Sequence, residues 1–302
     1  MVRPQRTLAA PARLEGIGLH HGRTERVELL PAPPGAGVVF VLEGAGGLEI
    51  PALEQFRSPM MHATRLERDG ATIDTPEHLM AAIYALGLDN VRVRMSGSEL
   101  PILDGSSLPF ARAILAAGLV EQEGWYPRIV VTQKLIVGDE ERRITIEPGE
   151  GLRVTTAIDF EHEHLGYQEV TVRLDQPDDF LNKLAAARTF GMRRDIEKLQ
   201  RAGLIKGGSL DNAILVDDDG IKGVDLRYRD EFVRHKTLDL IGDLALLGCG
   251  LSGRVVAWRA GHDLHGRLAD ALLADRSNWI FESGPGGPTE PPSRPAPPGR
   301  AR

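Results

Sequence analysis

Two side chains that can bind a metal ion, His235 and Asp239, lie four residues apart in a segment with helical periodicity. Residues at this spacing stack on one face of a helix, so the imidazole and the carboxylate can be directed at one cation. A surface ion pair would have the same spacing. Neighbouring positions such as Leu238 and Ile241 are apolar, however, which indicates a buried helix. Because buried carboxylates are rare unless they are paired or bound to a cation, the segment favours a metal site.

A second candidate pair, Glu77-His78, begins another apolar segment with helical periodicity. A hydrolytic zinc site needs three protein ligands, an open position for water and a nearby general base. His78 can supply the third ligand, and Glu77 is a carboxylate that can accept a proton. Without a cation, a buried network of ion pairs would have to account for the same groups. We therefore expect the two helices to meet at one site.

Two predicted helices must position these residues. One covers Glu77–Leu86 with Thr75 as its N-cap, and the longer one covers residues 231–247 and ends at Gly248. Each has a histidine near its start, ends at a glycine and leads through a short turn into a β-rich segment. This faint internal duplication suggests two α+β halves with a break near residues 123–127. Strands are predicted at 27–30, 37–42, 91–94, 128–131, 143–147 and 254–258.

The remaining histidines give weaker signals. His262 follows a predicted strand, and the glycine before it leaves room for a ligand, although a histidine in this position is more often structural. His162 and His164 lie in a segment typical of a solvated turn, so we do not expect metal binding there. The histidines without a carboxylate partner at helical or strand spacing are His20, His21, His62 and His265.

Two sequence features are typical of other enzyme classes, but the surrounding sequence argues against those functions. Gly248, Gly250 and Gly253 match the dinucleotide-binding fingerprint as a string, but they follow a helix and precede a strand, the reverse of the required order. Cys249 lies in an apolar stretch, where a thiolate nucleophile would be unfavourable. The sequence has neither a Gly-x-Ser-x-Gly elbow nor a P-loop.

The composition argues against several classes of protein. The formal net charge of −7 makes a nucleic-acid partner implausible, because neutralising phosphates requires a concentrated excess of lysine and arginine. With a single cysteine, no internal disulfide can form, which fits a reducing compartment. No apolar run approaches the ~18 residues of a membrane span, and we recognise no signal peptide. We expect a cytoplasmic protein whose Pro/Gly-rich tail, residues 284–302, is disordered.

The motifs described above, together with several others, resemble those of the UDP-3-O-acyl-N-acetylglucosamine deacetylases, a zinc-dependent family of lipid A biosynthesis. The resemblance covers residues 5–279, nearly everything except the tail, and its many motifs occur in the family's order. The matching stretches are Gly16-Ile17-Gly18-Leu19-His20, Thr75-Pro76-Glu77-His78-Leu79, Asp89-Asn90, Pro101-Ile102-Leu103-Asp104-Gly105-Ser106, Ala187-Arg188-Thr189-Phe190-Gly191, Gly207-Gly208-Ser209-Leu210-Asp211, Asp230-Glu231-Phe232-Val233-Arg234-His235-Lys236 with Asp239 and Asp243, and Ala260-Gly261-His262.

The resemblance implies two similar α+β domains, each a β-sheet with helices, packed so that the helices are sandwiched between the sheets. The first domain would cover 3–125 and the second 127–283, with an insertion near 188–215 that forms an acyl-chain passage. The implied reaction removes the N-acetyl group of UDP-3-O-(3-hydroxyacyl)-N-acetylglucosamine and gives acetate and UDP-3-O-acyl-glucosamine. This UDP-linked acylated amino sugar is the implied partner; we expect a monomer with at most peripheral membrane contact.

The resemblance also implies the roles of individual residues at the domain junction. Zn²⁺ would be held by His78, His235 and Asp239, and Glu77 would be the general base. A second acid/base or electrostatic residue would be His262, oriented by Asp243, and Thr189 would polarise the acetyl oxygen. The implied substrate-binding residues are Lys236, Phe190, Gly208 and Phe160, the last of which would stack on uracil.

Two other functions remain compatible with these residues. A sugar-nucleotide-binding protein could keep the fold without zinc or catalysis. A zinc amidase could act on a different acylated substrate, because the motif residues specify the reaction better than they specify the side groups. Chelator-sensitive deacetylation would exclude the first, and the preference for sugar nucleotide and acyl chain would distinguish the second.

Overall fold

The computed structural model describes residues 3–285 and residue 290, and it has a mixed α+β fold with several sheets and helices packed against them. The predicted disordered tail lies almost wholly outside the described residues. Up to residue 126 the elements are β1 (Arg3–Leu8), β2 (Ala12–Ile17), β3 (Thr24–Pro31), β4 (Val38–Leu42), β5 (Leu48–Pro51), β6 (Arg57–Ser58), β7 (Arg65–Arg68), β8 (Ala71–Asp74), α1 (Glu77–Leu86), β9 (Val91–Met95), α2 (Leu108–Ala117) and β10 (Leu119–Tyr126).

The rest of the described chain contributes ten further strands and four further helices. Among the described residues, none of the helices combines the length and the hydrophobicity that a membrane crossing requires. The elements are β11 (Arg128–Val131), β12 (Leu135–Gly138), β13 (Arg143–Glu147), β14 (Leu152–Phe160), β15 (Gly166–Arg173), α3 (Pro177–Lys183), β16 (Phe190–Met192), α4 (Arg193–Arg201), β17 (Ile214–Asp217), β18 (Gly220–Lys222), α5 (Glu231–Leu244), β19 (Gly250–Trp258), α6 (His262–Ala274) and β20 (Trp279–Glu282).

Most of the predicted elements are confirmed. The predicted strands correspond to β3, β4, β9, β11, β13 and the second half of β19, and α1 has the predicted bounds. The longer helix ends at Leu244 and continues as a short 3₁₀ turn to Leu247, after which Gly248 adopts the left-handed conformation. The prediction of Thr75 as N-cap is wrong: its φ is 61°, and its hydroxyl has no hydrogen-bond partner within residues 3–285 or at residue 290. The helix begins after Pro76, whose fixed φ suits that position.

Two sheets have the same strand arrangement. In the first, of order β2-β3-β9-β4-β5, the central strand β9 is antiparallel to β3 and parallel to β4. In the second, β12-β13 lies on one side of β19 and β14-β15 on the other, and β19 is antiparallel to β13 and parallel to β14. The first part of β19 also pairs with β11, which continues to β20.

The alternation of side chains along β9 explains how each sheet presents an apolar face. Val91, Val93 and Met95 are buried, whereas Arg92 is half-buried and Arg94 is exposed. Successive side chains of a strand point to opposite faces, so one face joins the core and the other carries the charges. The helices cover the apolar faces: α5 packs on β14 and β15, and α6 packs on β12 and β13.

The helices α1 and α5 also pack on each other, and a glycine allows their close approach. A methyl group on Gly242 of α5 would lie 2.1 Å from the carbonyl oxygen of Glu77, the first residue of α1. Only a residue without a side chain fits at this crossing. The start of α1 is thereby held against the last turn of α5, one turn away from Asp239.

We predict that Gly242→Ala lowers the stability of the protein. The added methyl group must push α1 away from α5, and overpacking of this kind costs about 1–3 kcal/mol. Thermal unfolding followed by circular dichroism measures the loss. Gly44→Ala is the matched control, because the nearest atom to a methyl group there is 3.8 Å away. An unchanged melting temperature of Gly242→Ala would contradict the proposed close packing.

Candidate metal centre and active site

The three predicted metal ligands come together where α1 begins and α5 passes. The Nε2 atom of His235 lies 3.4 Å from Oδ1 of Asp239, and Nε2 of His78 lies 3.7 Å from the same oxygen. The two imidazole rings are 5.0 Å apart and nearly perpendicular. All three side chains are buried, and their ligand atoms lie within 4.8 Å of one another. The prediction that the two helices meet at one site is therefore confirmed.

A hydrogen bond orients the His235 ring toward the centre of this cluster. Its Nδ1 atom lies 3.1 Å from the carbonyl oxygen of Ala187. A carbonyl can only accept, so Nδ1 carries the hydrogen and Nε2 keeps a lone pair directed at Asp239. A backbone partner on the outer nitrogen is the usual arrangement for a metal-binding histidine.

Asp239 is a buried carboxylate with one oxygen left over. Its Oδ2 atom accepts a hydrogen bond of 2.9 Å from Lys236 Nζ, whereas Oδ1 has no hydrogen-bond partner among the described residues. Burial alone would raise the pKa of Asp239, but His235, Lys236 and His262 outweigh it and lower this pKa well below its usual value. The carboxylate is therefore ionised, and its free oxygen lies between the two imidazoles.

This donor set fits Zn²⁺. Burial lowers the pKa of His78 to about 3, with the neighbouring His235 acting in the same direction, and burial also lowers the pKa of His235. Both rings are therefore neutral at physiological pH, which is the form that binds a metal. Two neutral imidazoles and one carboxylate are a known ligand set for catalytic zinc, and the orphaned Oδ1 supplies an unused donor atom.

Glu77 lies beside His78 at the start of α1 and lines the same cavity. Its Oε2 atom accepts a hydrogen bond of 3.3 Å from the backbone N–H of Thr64. Burial raises the pKa of its carboxyl group to about 8, and the nearby His262 only partly opposes this effect. A carboxylate with a raised pKa is a strong proton acceptor, as a general base requires.

His262, the first residue of α6, is held by Asp243 of α5. Its Nδ1 atom lies 2.7 Å from Asp243 Oδ2, and its Nε2 atom lies 3.9 Å from Asp239 Oδ2. Burial lowers the pKa of His262, but the charge and hydrogen bond of Asp243 outweigh it and raise this pKa to about 9. His262 is therefore an imidazolium at neutral pH, and its free N–H faces the metal cluster.

Two of the histidines without a carboxylate at local spacing have a carboxylate partner in the tertiary structure. Nδ1 of His265 lies 2.7 Å from Asp243 Oδ2, so His265 shares one carboxylate oxygen with His262. The side chain of His21 lies 3.1 Å from Asp74. Both partners lie far away in the sequence, where local spacing gives no signal. For His265, its position one helical turn after His262 was the available hint.

Two further site residues, Thr64 and Arg57, were not predicted. Thr64 donates a hydrogen bond of 2.5 Å from its hydroxyl to Oδ1 of Asp243, and Nη2 of Arg57 lies 3.4 Å from the same oxygen. Thr64 is 179 residues from Asp243 in the sequence and lies in a segment without helical or strand periodicity. No signal in the sequence could have identified this pair.

A cavity of about 180 Å³ opens over the cluster. Thr189, Phe190, Phe160 and Lys236 line it. Phe190 packs edge-to-face on Phe160, and Lys236 Nζ lies 5.7 Å from the centre of the Phe190 ring. Several apolar side chains also line the cavity, among them Leu19, Ile196, Leu199 and Ile205.

Some residues singled out in the sequence lie elsewhere or have another role. Gly208 is exposed in the loop after Ile205 and does not line the cavity. His162 and His164 lie in a turn between β14 and β15, where Nε2 of His162 lies 2.9 Å from the Asp217 carbonyl oxygen. Cys249 is buried, and burial raises its pKa to about 12, so it is not a nucleophile. Two more histidines, His20 and His62, line the cavity.

Comparison with known proteins places this site in a family. The model of the LpxC family, UDP-3-O-acyl N-acetylglycosamine deacetylase, matches residues 5–274. The chain belongs to the LpxC family. The UDP-3-O-acyl-N-acetylglucosamine deacetylase of Myxococcus xanthus (strain DK1622) is 45% identical over 276 residues, which cover 90% of the chain and 87% of the relative. That of Hahella chejuensis (strain KCTC 2396) is 42% identical over 278 residues, 91% of the chain and 92% of the relative.

Membership of the LpxC family establishes the activity. The protein is a deacetylase of lipid A biosynthesis, that is, a metal-dependent amide hydrolase. The buried cluster of His78, His235 and Asp239 is consistent with the metal site that such an enzyme needs. The sequence-based prediction of family and activity is thus confirmed.

We predict that His235→Ala loses both bound zinc and deacetylase activity. Even an outer partner of a metal ligand changes affinity by ~10–100-fold, so loss of a ligand should have a larger effect. Metal analysis of the purified variant, together with an acetate-release assay, measures both quantities. His164→Ala is the control, since it removes an exposed imidazole from a turn. Full zinc content in His235→Ala would contradict the ligand assignment.

Proposed function

We propose that the chain uses Zn²⁺ to hydrolyse the N-acetyl group of UDP-3-O-(3-hydroxyacyl)-N-acetylglucosamine, giving acetate and UDP-3-O-acyl-glucosamine. His78, His235 and Asp239 hold the ion. The observation that carries this assignment is the Oδ1 atom of Asp239. It belongs to a buried, ionised carboxylate, it lies between two imidazole nitrogens, and it has no hydrogen-bond partner in the part of the chain that the structure describes. A buried charge is stabilised by a partner, and a divalent cation is the partner that these three groups suit.

The cation supplies the chemistry that the protein groups lack. Zn²⁺ acts as a Lewis acid, which polarises an amide carbonyl and makes water more acidic. An amide is a weak electrophile with a poor leaving group, so both effects are needed at neutral pH. The residues around the ion then have to accept one proton and donate another.

Glu77 is the proton acceptor in this proposal. It lines the cavity next to a ligand, and the Thr64 N–H fixes one of its oxygens. A pKa raised to about 8 gives the ionised carboxylate of Glu77 a higher affinity for protons than an ordinary carboxylate has, and the positive charge of a bound cation would favour this ionised form. Glu77 therefore takes the proton as the water oxygen attacks the acetyl carbon.

His262 and Thr189 act on the other side of the acetyl group. Protonated at neutral pH and held at Nδ1 by Asp243, His262 points its Nε2–H toward the cluster. It stabilises the negative charge that develops on the carbonyl oxygen and then protonates the departing amine. The Thr189 hydroxyl, which lines the cavity, donates a hydrogen bond to the same oxygen.

The cavity walls suit the two ends of the substrate. Lys236 is placed to meet polar oxygens, and Phe160 and Phe190 offer faces on which uracil or the sugar can stack. The apolar side chains contributed by α4 and by the loop that contains Ile205 suit an acyl chain, which supports residues 188–215 as the passage. Gly208 lies in the same loop and would contact the substrate only where the passage opens.

We also propose that the chain is built from two similar domains, 3–125 and 127–283, with helices sandwiched between two sheets. The matching arrangements of β2-β3-β9-β4-β5 and β12-β13-β19-β14-β15 support this. In both halves a helix leads into the central strand and a second helix follows it. Both leading helices, α1 and α5, contribute ligands, so the site belongs to the junction.

The proposed setting of the enzyme is the cytoplasm. A single, buried cysteine suits a reducing compartment, and the net charge of −7 argues against a nucleic-acid partner. We propose a monomer, because the ligands and the bases described above all come from one chain. Contact with a membrane would be peripheral and limited to the delivery of an acylated substrate.

We predict that Glu77→Gln keeps its zinc but loses at least ~100-fold in kcat, the usual scale for loss of a general base. Glutamine has the size and the hydrogen-bonding oxygen of glutamate but cannot take a proton. Metal analysis and steady-state acetate release separate the two effects. A Glu77→Gln variant with wild-type kcat would defeat the assignment of Glu77 as base.

Removal of the metal provides the test of the whole proposal. Acetate release from UDP-3-O-acyl-N-acetylglucosamine should stop when a chelator removes the ion and should return when Zn²⁺ is added back. A protein that binds the sugar nucleotide but releases no acetate would be a binding protein. Equal activity on acetamides without UDP or without the acyl chain would indicate a broader zinc amidase.

A further inference from the structure

We propose that Arg57 is a positioning residue for the deacetylation, acting through Asp243 on His262. The inference rests on the proposed function of His262 as the acid. Arg57 begins β6 in the first half of the chain, whereas Asp243 and His262 belong to α5 and α6 in the second half. Its guanidinium group therefore joins the two halves directly behind the proposed acid.

The contacts of Arg57 concentrate on the backbone and the partner of His262. Its Nη1 atom donates hydrogen bonds to the His262 carbonyl oxygen at 3.4 Å and to the Thr64 hydroxyl at 3.3 Å. Its Nη2 atom lies 3.4 Å from Asp243 Oδ1. The same guanidinium group thus contacts the first residue of α6 and the carboxylate that orients its ring. A planar group with several donors is suited to such a junction.

Arg57 lies between two buried carboxyl groups and supplies a positive charge to both. Its Nε atom lies 2.8 Å from Oε1 of Glu54, and both Glu54 and Asp243 are buried. Thr64 is neutral, and the two imidazoles on Asp243 both contact the other oxygen, Oδ2. Loss of Arg57 would leave two buried carboxylates without the cation between them. Asp243 would then move or bind water, and the Nδ1 anchor of His262 would shift.

A glycine in α6 provides an independent sign that this contact shapes the fold. Gly266 lies inside the helix, where glycine is a poor helix former. A methyl group at this position would lie 2.9 Å from Cδ and 3.0 Å from Nε of Arg57, and 3.1 Å from Oε1 of Glu54. The helix therefore has no side chain where Arg57 passes across it, one turn after His262.

The test uses the zinc-loaded full-length enzyme with UDP-3-O-acyl-N-acetylglucosamine. Arg57→Met keeps an unbranched apolar stem in place of the arginine stem and removes the charge and the donors. Gly266→Ala leaves Arg57 in place but displaces its side chain, while alanine favours the helix. We expect both variants to lose at least ~10-fold in kcat with unchanged KM and zinc content, because misplacement of a catalytic group is felt in the chemical step. Arg57→Lys should recover part of the loss.

Two controls separate positioning from general stability. Arg3→Met breaks a comparable pair with the buried Asp89 at the other end of α1, and it should lower the melting temperature without changing kcat. His262→Ala tests the function on which the inference rests. If His262→Ala retains full activity, the proposed role of His262 is wrong, and the role of Arg57 is wrong with it.

The remaining outcomes bear on Arg57 alone. If His262→Ala is inactive but Gly266→Ala and Arg57→Met keep kcat within ~2-fold of wild type, Arg57 has no positioning role. If Arg57→Met does not fold, Gly266→Ala decides the matter. A Gly266→Ala enzyme that is stable, retains zinc and is slow supports the inference. A Gly266→Ala enzyme that loses zinc or stability in proportion to its activity would show that the role of Arg57 is structural, and this result would overturn the inference.

Discussion

The structure depends on a charge that it must keep buried. The Asp239 carboxylate is ionised inside the protein, one of its oxygens is unpartnered, and removing such a group from water costs several kcal/mol. Lys236 neutralises one side of it, and two neutral imidazoles face the other. The proposed cation would supply the missing partner of the free Asp239 oxygen and complete the cluster.

The scaffold holds this site by bringing two helices together from distant parts of the chain. Each helix leads into the central strand of its own sheet, so each is fixed by packing on an apolar face. Where they cross, Gly242 lets the backbone of α1 approach α5 without a side chain between them. The first turn of α1 then delivers Glu77 and His78 to the ligands of α5. A rigid helix pair is a suitable support for a site that must keep its geometry during catalysis.

Around the metal cluster, charge is arranged in alternating layers. Asp239 faces the proposed ion, the imidazolium of His262 lies behind Asp239, and Asp243 lies behind His262. The positive charge of Arg57 follows Asp243, and the carboxyl group of Glu54 follows Arg57. Cationic neighbours outweigh the effect of burial at Asp239 and Asp243, so both carboxylates stay ionised, and their negative charges add to burial in raising the pKa of Glu77 to about 8.

Some of this could be predicted from the sequence because it depends on local rules. The 3.6-residue period of a helix places His235 and Asp239 on one face, the two-residue period of a strand buries Val91 and Val93, and a string of motifs identifies the family. The prediction that Thr75 is the N-cap of α1 was wrong, because the left-handed backbone at Thr75 moves its hydroxyl away from the helix.

Other features were decided only by the tertiary structure. His265 and Arg57 both meet Asp243 from elements that local spacing cannot relate to α5, and the cavity forms between segments that are remote in the sequence. Periodicity determines which face of an element is apolar, but not which other element covers it. The partners of a buried charge follow from that choice of packing, so they become visible only when the sheets and helices are assembled.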